Sequence, residues 1–289
     1  MDEKKKAEIE ARIRAEEEAK IYRQIKEELE KEYTNKTSIH VDTCQEYINK
    51  LNEGYRENEI ELTNPGAMNN LGYAYEKGDG VIKDLYKAFE WYKKAAEAGN
   101  KYGQKNIGHM YYNGKGTPVD YNQAFYWYQK AADQGLVDAY ADLGICYKDG
   151  YGVIKDLHKA FGWYKKAAEA GNKYGQRNLG ICYSNGKGVS VDYNKAFYWY
   201  KKAADQGLVD AYVDLGICYE DGKGTTKELY KAFEWYKKAA EVGSEYGMYD
   251  LGLCYEYGKG ITIDKNKANY WYKKAASLGY ESAKKKLGI

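Results

Sequence analysis

No run of 18 apolar residues occurs anywhere in this chain of 289 residues, so it offers no segment long enough to cross a bilayer as a helix. The opening Met1-Asp2-Glu3-Lys4-Lys5-Lys6 lacks the apolar core of a secretory leader. Together with a mean hydropathy of −0.83, these absences set the expectation of a cytoplasmic protein, with the nucleus as the alternative and no membrane insertion. Arginine is also scarce. Five of the 45 basic residues are Arg, and the net charge is only +2. A dedicated nucleic-acid binder shows a basic stripe, and Arg is the residue suited to bidentate phosphate contacts. Nucleic acid is therefore set aside as a partner.

The residues of catalysis are thin too. The three histidines, His40, His109 and His158, share no metal-ligand spacing, and no nucleophile–base–acid triad can be assembled around them. Gly114-Lys115-Gly116-Thr117 has part of a phosphate loop, but Gly-x4-Gly-Lys-Ser/Thr is absent, as is any protein-kinase signature. The expectation is a non-enzymatic protein with no cofactor and no metal.

What the chain has instead is repetition. Trp91, Trp127, Trp163, Trp199, Trp235 and Trp271 are its six tryptophans, each 36 residues from the next. A fixed period in this range marks a stacked array. Each unit opens on Ala or Gly (Ala67, Gly103, Ala139, Gly175, Ala211, Gly247), followed by Leu/Ile-Gly-x-x-Tyr and a Gly-x-Gly loop. An acid, Asp84 in the first unit and Glu228 in the fifth, then precedes Lys-Ala-x-x-Trp-Tyr and a closing Gly. Gly suits the left-handed exit from a helix, and a carboxylate suits the positive end of the next one. Each unit reads as helix–turn–helix. The Gly inside the first helix costs about 1 kcal/mol and is explained only if a neighbouring helix comes close there. Burying a handful of side chains does not offset the ordering of a lone unit, so neighbours must stack, and the tryptophans read as packing residues. Odd and even units differ consistently, which points to a 72-residue duplication.

The expected division is a charged helical extension over 1–36, an amphipathic N-capping helix and linker over 37–66, and the array over 67–289. In the first part the apolar residues Ile9, Ile13, Ile21, Ile25, Leu29 and Tyr33 step by four. The stripe therefore drifts around the helix. That reads as a solvated single helix, with a self-associating or docking arm as the alternative. In the second part Asp42-Thr43-Cys44-Gln45 reads as a capping box ahead of a stripe through Cys44, Tyr47, Ile48, Leu51 and Tyr55.

The phrase Leu-Gly-x-x-Tyr-x-x-Gly-x-Gly, then Asp-x-x-Lys-Ala-x-x-Trp-Tyr-x-Lys-Ala-Ala, closely resembles the Sel1-like repeat, a relative of the tetratricopeptide repeat. Six copies and a terminal half-copy cover about three quarters of the chain. The resemblance implies an all-α fold, a right-handed α/α superhelix acting as an adaptor, often in signalling, membrane-protein quality control or cell-wall regulation. Two other functions are weighed: the regulatory or substrate-recruiting region of a signalling enzyme such as a protein kinase, and a β-lactam hydrolase like the cysteine-rich relatives. The latter carry two bridged Cys per unit. Here Cys146, Cys182, Cys218 and Cys254 supply at most one. Equivalent helices about 8–10 Å apart exceed the roughly 7 Å reach of a disulfide, so these read as buried free thiols. Asn269 stands where five units have Phe, and Thr225-Thr226 departs from the fifth loop.

By analogy with tetratricopeptide arrays, the face of each first helix left free by the core lines a concave surface that takes a protein or peptide partner. The residues expected there are Tyr73, Lys105, His109, Tyr112, Ile145, Lys148, Arg177, Ile181, Ile217, Glu220, Tyr249 and Leu253. The ladder Ile145, Ile181, Ile217, Leu253 is apolar where a solvated face would be polar; the competing reading packs it against the adjacent helix. A second ladder, Asn70, Asn106, Asp142, Asn178, Asp214 and Asp250, is expected to hydrogen-bond to a neighbouring helix.

Overall fold

A computed structural model describes Lys20 and residues 39–289. The charged extension over 1–36, with its docking or self-associating arm, otherwise lies outside the described residues. The described chain begins with a short strand β1 (Ile39–Val41), helix α1 (Cys44–Asn52), a 3-10 turn and strand β2 (Ile60–Leu62). Pairs of 13-residue helices follow: α2 (Pro65–Lys77) with α3 (Leu85–Glu97), α4 (Lys101–Asn113) with α5 (Tyr121–Asp133), and α6 (Val137–Asp149) with α7 (Leu157–Glu169). The remaining pairs are α8 (Lys173–Asn185) with α9 (Tyr193–Asp205), α10 (Val209–Asp221) with α11 (Leu229–Glu241), and α12 (Glu245–Tyr257) with α13 (Lys265–Ser277). A last helix, α14 (Glu281–Leu287), packs on α13. Each helix packs on the next along the chain, so the architecture is an all-α solenoid of helix–turn–helix repeats.

Local chemistry sets the helix ends. Asn64, Asn100, Asn172 and Ser244 each accept a hydrogen bond from the first turn of α2, α4, α8 and α12, and Pro65 takes the first helical position, where its missing N–H costs nothing. Asp84, Asp120, Asp156, Asp192 and Asp264 cap the second helices in the same way. Glu228, one methylene longer, makes no cap bond and instead holds Thr226 and Lys231. The first helices begin two residues before the Ala/Gly positions that mark each unit in the sequence.

Packing follows the 36-residue period. The Gly of each Leu/Ile-Gly pair faces the Tyr that follows Trp in the second helix of the same unit. A methyl group at Gly144 would sit 2.4 Å from the Tyr164 ring. Between units, Phe89 meets Tyr111 edge-on at 5.2 Å, and Phe125, Phe161, Phe197 and Phe233 repeat the contact with the next first helix. Asn269, in the place of that Phe, is exposed. Trp91 is buried and the other five tryptophans are partly buried; Trp163 packs against a core cluster that joins Ala131 and Leu136 of the preceding unit to Ala139 and Leu143 of its own. The loop glycine Gly116, at φ +68°, lies so close to the Leu85 carbonyl that no side chain fits. There the loop of one unit seats on the second helix of the unit before.

The first part of the described chain departs from expectation in three ways. The capping box is Thr43 with Glu46, one residue along from Asp42 with Gln45: the Thr43 hydroxyl accepts from the Glu46 N–H, and the Glu46 carboxylate accepts from the Thr43 N–H. Helix α1 ends at Asn52, so Tyr55 lies beyond it and is exposed. The stretch read as linker contains β2, which pairs in parallel with β1, Ile39 opposite Ile60 and Val41 opposite Leu62. Three-residue strands are too short to show an alternation. Tyr47 of α1 packs T-shaped on Trp91 at 5.1 Å, and Ile48 faces Gly80 of the first loop.

Candidate functional site

The first helices stack side by side, and their facing residues are joined mainly by charge. Lys105 on α4 donates to Asp138 on α6 at 3.2 Å, and His109 Nε2 lies 3.2 Å from Asp142 Oδ2. The same pattern returns 72 residues on: Arg177 on α8 donates through Nε to Asp214 at 2.6 Å and through Nη1 to Asp210 at 2.9 Å, both on α10. Burial pushes the Asp214 carboxyl up, against the pull of the Arg177 guanidinium, as desolvation of a half-buried ion pair requires. Asn106 donates to Asn69 at 2.9 Å. Asn106, Asp142 and Asp214 thus make the inter-helix bonds expected of their ladder.

Lys105, His109, Ile145 and Arg177 come together around one cavity of about 430 Å³ across α4, α6 and α8. His109, Tyr112 and Ile145 line an adjoining one of about 230 Å³. Tyr112 packs edge-on against Tyr121 and Tyr151, and burial, then those phenols, pushes its hydroxyl up to about 12. The sequence points to neither Asp138, Asn172 nor Tyr174 of the lining, and it assigns Asp142 and Asn178 to the inter-helix ladder and not to a cavity. A signal for the first existed. Asp138 and Asp210 stand 72 residues apart, as do Lys105 and Arg177, so the cation of one unit predicts the anion of the next.

The other expected residues lie outside these cavities. Tyr73 is exposed on α2. Lys148 pairs with its neighbour Asp149 at 3.2 Å. Glu220 accepts from the Tyr236 hydroxyl at 2.9 Å and holds Lys259 of the next loop, a link also made by Tyr92, Glu76 and Lys115. Tyr249 packs on Tyr272 and Tyr280. The apolar ladder divides: Ile145 and Ile181 are half-buried against core clusters, whereas Ile217 is 42% exposed. Packing explains the first two; Ile217 is left to solvent.

The four repeat cysteines are buried free thiols. Desolvation raises Cys182 to about 11 and Cys146, Cys218 and Cys254 to about 12, which makes them poor nucleophiles. Among the described residues no group of three or more His, Cys, Asp or Glu is placed to hold a metal, and no helix is long and apolar enough to cross a membrane.

The Sel1 repeat model matches the chain six times in succession, over residues 65–100, 101–136, 137–172, 173–208, 209–244 and 245–280. The chain belongs to the Sel1 repeat family. A Sel1 repeat protein from Oxalobacter formigenes is 36% identical with a TM-score of 0.72, the match covering 82% of this chain and 100% of that one. A protective antigen present in uropathogenic Escherichia coli strains, displaying the SLR fold, is 35% identical with a TM-score of 0.70 over 86% of this chain. This Sel1 repeat chain spans about half of that antigen, 51% of its length. An immunity protein from Pseudomonas aeruginosa shares the fold at 22% identity and a TM-score of 0.50, over 75% of this chain and 83% of its own. No curated protein sequence matches. Sel1 repeat proteins are generally protein-interaction scaffolds and typically non-catalytic.

Proposed function

We propose that this Sel1 repeat chain is a non-enzymatic adaptor that holds an extended peptide segment of a partner protein across its first helices. The observation that carries this reading is the pair of adjoining cavities spanning α4, α6 and α8, with His109, Asp142 and Ile145 common to both. Apolar and charged side chains from three successive units converge there. A ligand site combines an apolar lining with a few placed polar groups, and an extended strand of peptide presents side chains at a spacing that successive repeats can each meet. The cations of the groove are already matched by aspartates of the next unit, so its rigidity does not depend on the ligand. Preorganisation of this kind reduces the entropic cost of binding.

The test uses 12-residue peptides selected from a random displayed library against the full chain. Ile217→Glu places a charge on the exposed rung of the apolar ladder, and Ile181→Glu on a half-buried one. The reading expects Lys105→Glu, at the cavities, and Ile217→Glu, on the next first helix along the same face, each to keep its helical circular dichroism and melting midpoint and to lose peptide binding at least tenfold. Binding that survives in a folded Ile217→Glu and in Lys105→Glu would overturn it. Ile181→Glu is expected to unfold, given the half-buried packing of that residue, so Ile217→Glu and Lys105→Glu decide between the outcomes.

A further inference from the structure

From α4 to α10 the charge alternates along the stack of first helices, and then the alternation fails. Helix α4 carries Lys101 and Lys105 and no acid; α8 carries Lys173 and Arg177 and no acid. Between and after them, α6 carries Asp138, Asp142 and Asp149 against the single base Lys148, and α10 carries Asp210, Asp214, Glu220 and Asp221 and no base. Basic helices therefore meet acidic ones, and Lys105, His109 and Arg177 bond across the α4–α6 and α8–α10 junctions. The next helix, α12, should be basic by this rule. It carries Glu245, Asp250 and Glu256 and no base at all.

Asp250 is the residue this leaves over. Its equivalents Asp142 and Asp214 each meet a side-chain nitrogen from the preceding unit, on His109 and Arg177. The corresponding positions before Asp250 are Val213 and Ile217, which have no charge to give. Among the described residues no hydrogen bond or ion pair reaches the Asp250 carboxylate. Lys259, the cation nearest in effect, is held by Glu220. Burial, then the Glu220 carboxylate, pushes the Asp250 carboxyl up to about 7, with Lys259 opposing; the Tyr236 hydroxyl on α11 also faces this charge.

The chain itself shows that the fold does not need the charge. Two units earlier the surroundings are of the same kind, Ala141 and Ile145 standing where Val213 and Ile217 stand, and the residue in Asp250's place is the neutral Asn178. An acid stands where an amide serves, and the exposed Ile217 holds the place relative to it that His109 holds for Asp142. A carboxylate half-removed from water with no cation costs stability, and a basic group brought by a ligand removes that cost.

We infer that Asp250 receives a Lys or Arg side chain of the bound peptide, with an adjacent apolar residue of the peptide lying on Ile217. The inference rests on the peptide-groove reading above. It assigns the acidic end of the groove as the determinant of which peptides bind: the incoming cation takes the place that Arg177 fills for Asp214.

Peptides selected from the random 12-residue library against the full chain provide the probe. Those that lose binding in Ile217→Glu are sequenced and measured against wild type and Asp250→Asn, the residue the chain uses at 178. The expected result is enrichment of Lys or Arg beside an apolar residue, and a fall in affinity of about tenfold in Asp250→Asn, the scale of one charge-assisted hydrogen bond. Replacing the peptide's basic residue by norleucine should cost the wild type about the same factor and cost Asp250→Asn little. Groove-dependent peptides without a basic residue, or equal affinity for wild type and Asp250→Asn, would overturn the assignment while leaving the groove reading standing. Peptides weakened by Lys105→Glu but indifferent to Ile217→Glu would overturn the assignment alone, and peptides indifferent to both variants would overturn both.

Discussion

The Tyr164 ring occupies the space that any side chain at Gly144 would need, its Cε1 only 2.4 Å from the position of a Cβ there. Five other units repeat the contact, from Gly72 with Tyr92 to Gly252 with Tyr272, at 2.3–2.7 Å. The missing side chain is what lets the two helices of a unit close on each other. Helix propensity alone would favour Ala at Gly144 by about 1 kcal/mol. Overpacking of a buried contact costs about 1–3 kcal/mol and should win.

Gly144→Ala is therefore expected to lower the melting midpoint by several degrees. Gly162→Ala on α7 is the matched comparison, since nothing lies within 4 Å of a Cβ there; it should raise stability by about 0.5–1 kcal/mol. Thermal unfolding of the two variants, followed by circular dichroism at 222 nm, gives opposite signs if the contact is as described.

Arg177 and Lys105 stand at equivalent positions, yet their removal should not cost the same. Arg177→Met leaves Asp214 buried without its cation and should cost about 2–3 kcal/mol, whereas adding Asp214→Asn recovers most of that loss. Lys105→Met breaks a pair whose Asp138 side chain is 55% exposed, and should cost under about 1 kcal/mol. Urea titrations of the three variants make the comparison, and equal costs would contradict it.

Asp250 gives a prediction in pH. Its carboxyl ionises near 3.8 when unperturbed and near 7 in the fold. Between those values the folded state holds more protons than the unfolded one, so stability falls as pH rises through the window, and the penalty is complete above about 7. Asp250→Asn removes it. The variant should be more stable than wild type by about 1–2 kcal/mol at pH 8.5, well short of the full linkage value because the carboxylate keeps some access to solvent. At pH 4 the two should melt together. A constant difference at both pH values would show that the carboxyl is not the cause.

Thiol reactivity checks the packing of the four repeat cysteines. With Ellman's reagent at pH 8, Cys44, which is only partly buried, should react first. Cys146, Cys182, Cys218 and Cys254 should react only as the array opens, because their raised pKa values and burial deny the reagent a thiolate. Mass spectrometry of the labelled peptides assigns the sites.

Much of this molecule was legible before any coordinate. The Trp period gave the unit length, Leu-Gly announced a close helix contact, and the acid before Lys-Ala marked a helix start that proves to be a side-chain cap in five of six units. What the pattern could not name was the partner in each contact. That Gly144 faces Tyr164 depends on the crossing of two helices, which no periodicity encodes. The cavities across α4, α6 and α8 are half legible for a similar reason. Absence from the core, judged one helix at a time, selects Ile145, which lines both cavities, and equally Ile181, which packs against a core cluster. Asp138 was missed because its role exists only opposite Lys105, on another helix. At the start of the described chain, β1 and β2 are too short for alternation to register, and the capping box slipped by one residue because Asp42 and Thr43 are both competent caps.

The central claim is that the first helices form the binding face. Amide hydrogen exchange of the full chain, with and without a library-selected peptide, tests it most directly. Binding should slow exchange in α4, α6, α8, α10 and α12, with the strongest protection around Lys105–Tyr112 and Asp138–Ile145. Protection confined to the second helices α5, α7 and α9, or spread evenly along the solenoid, would contradict it.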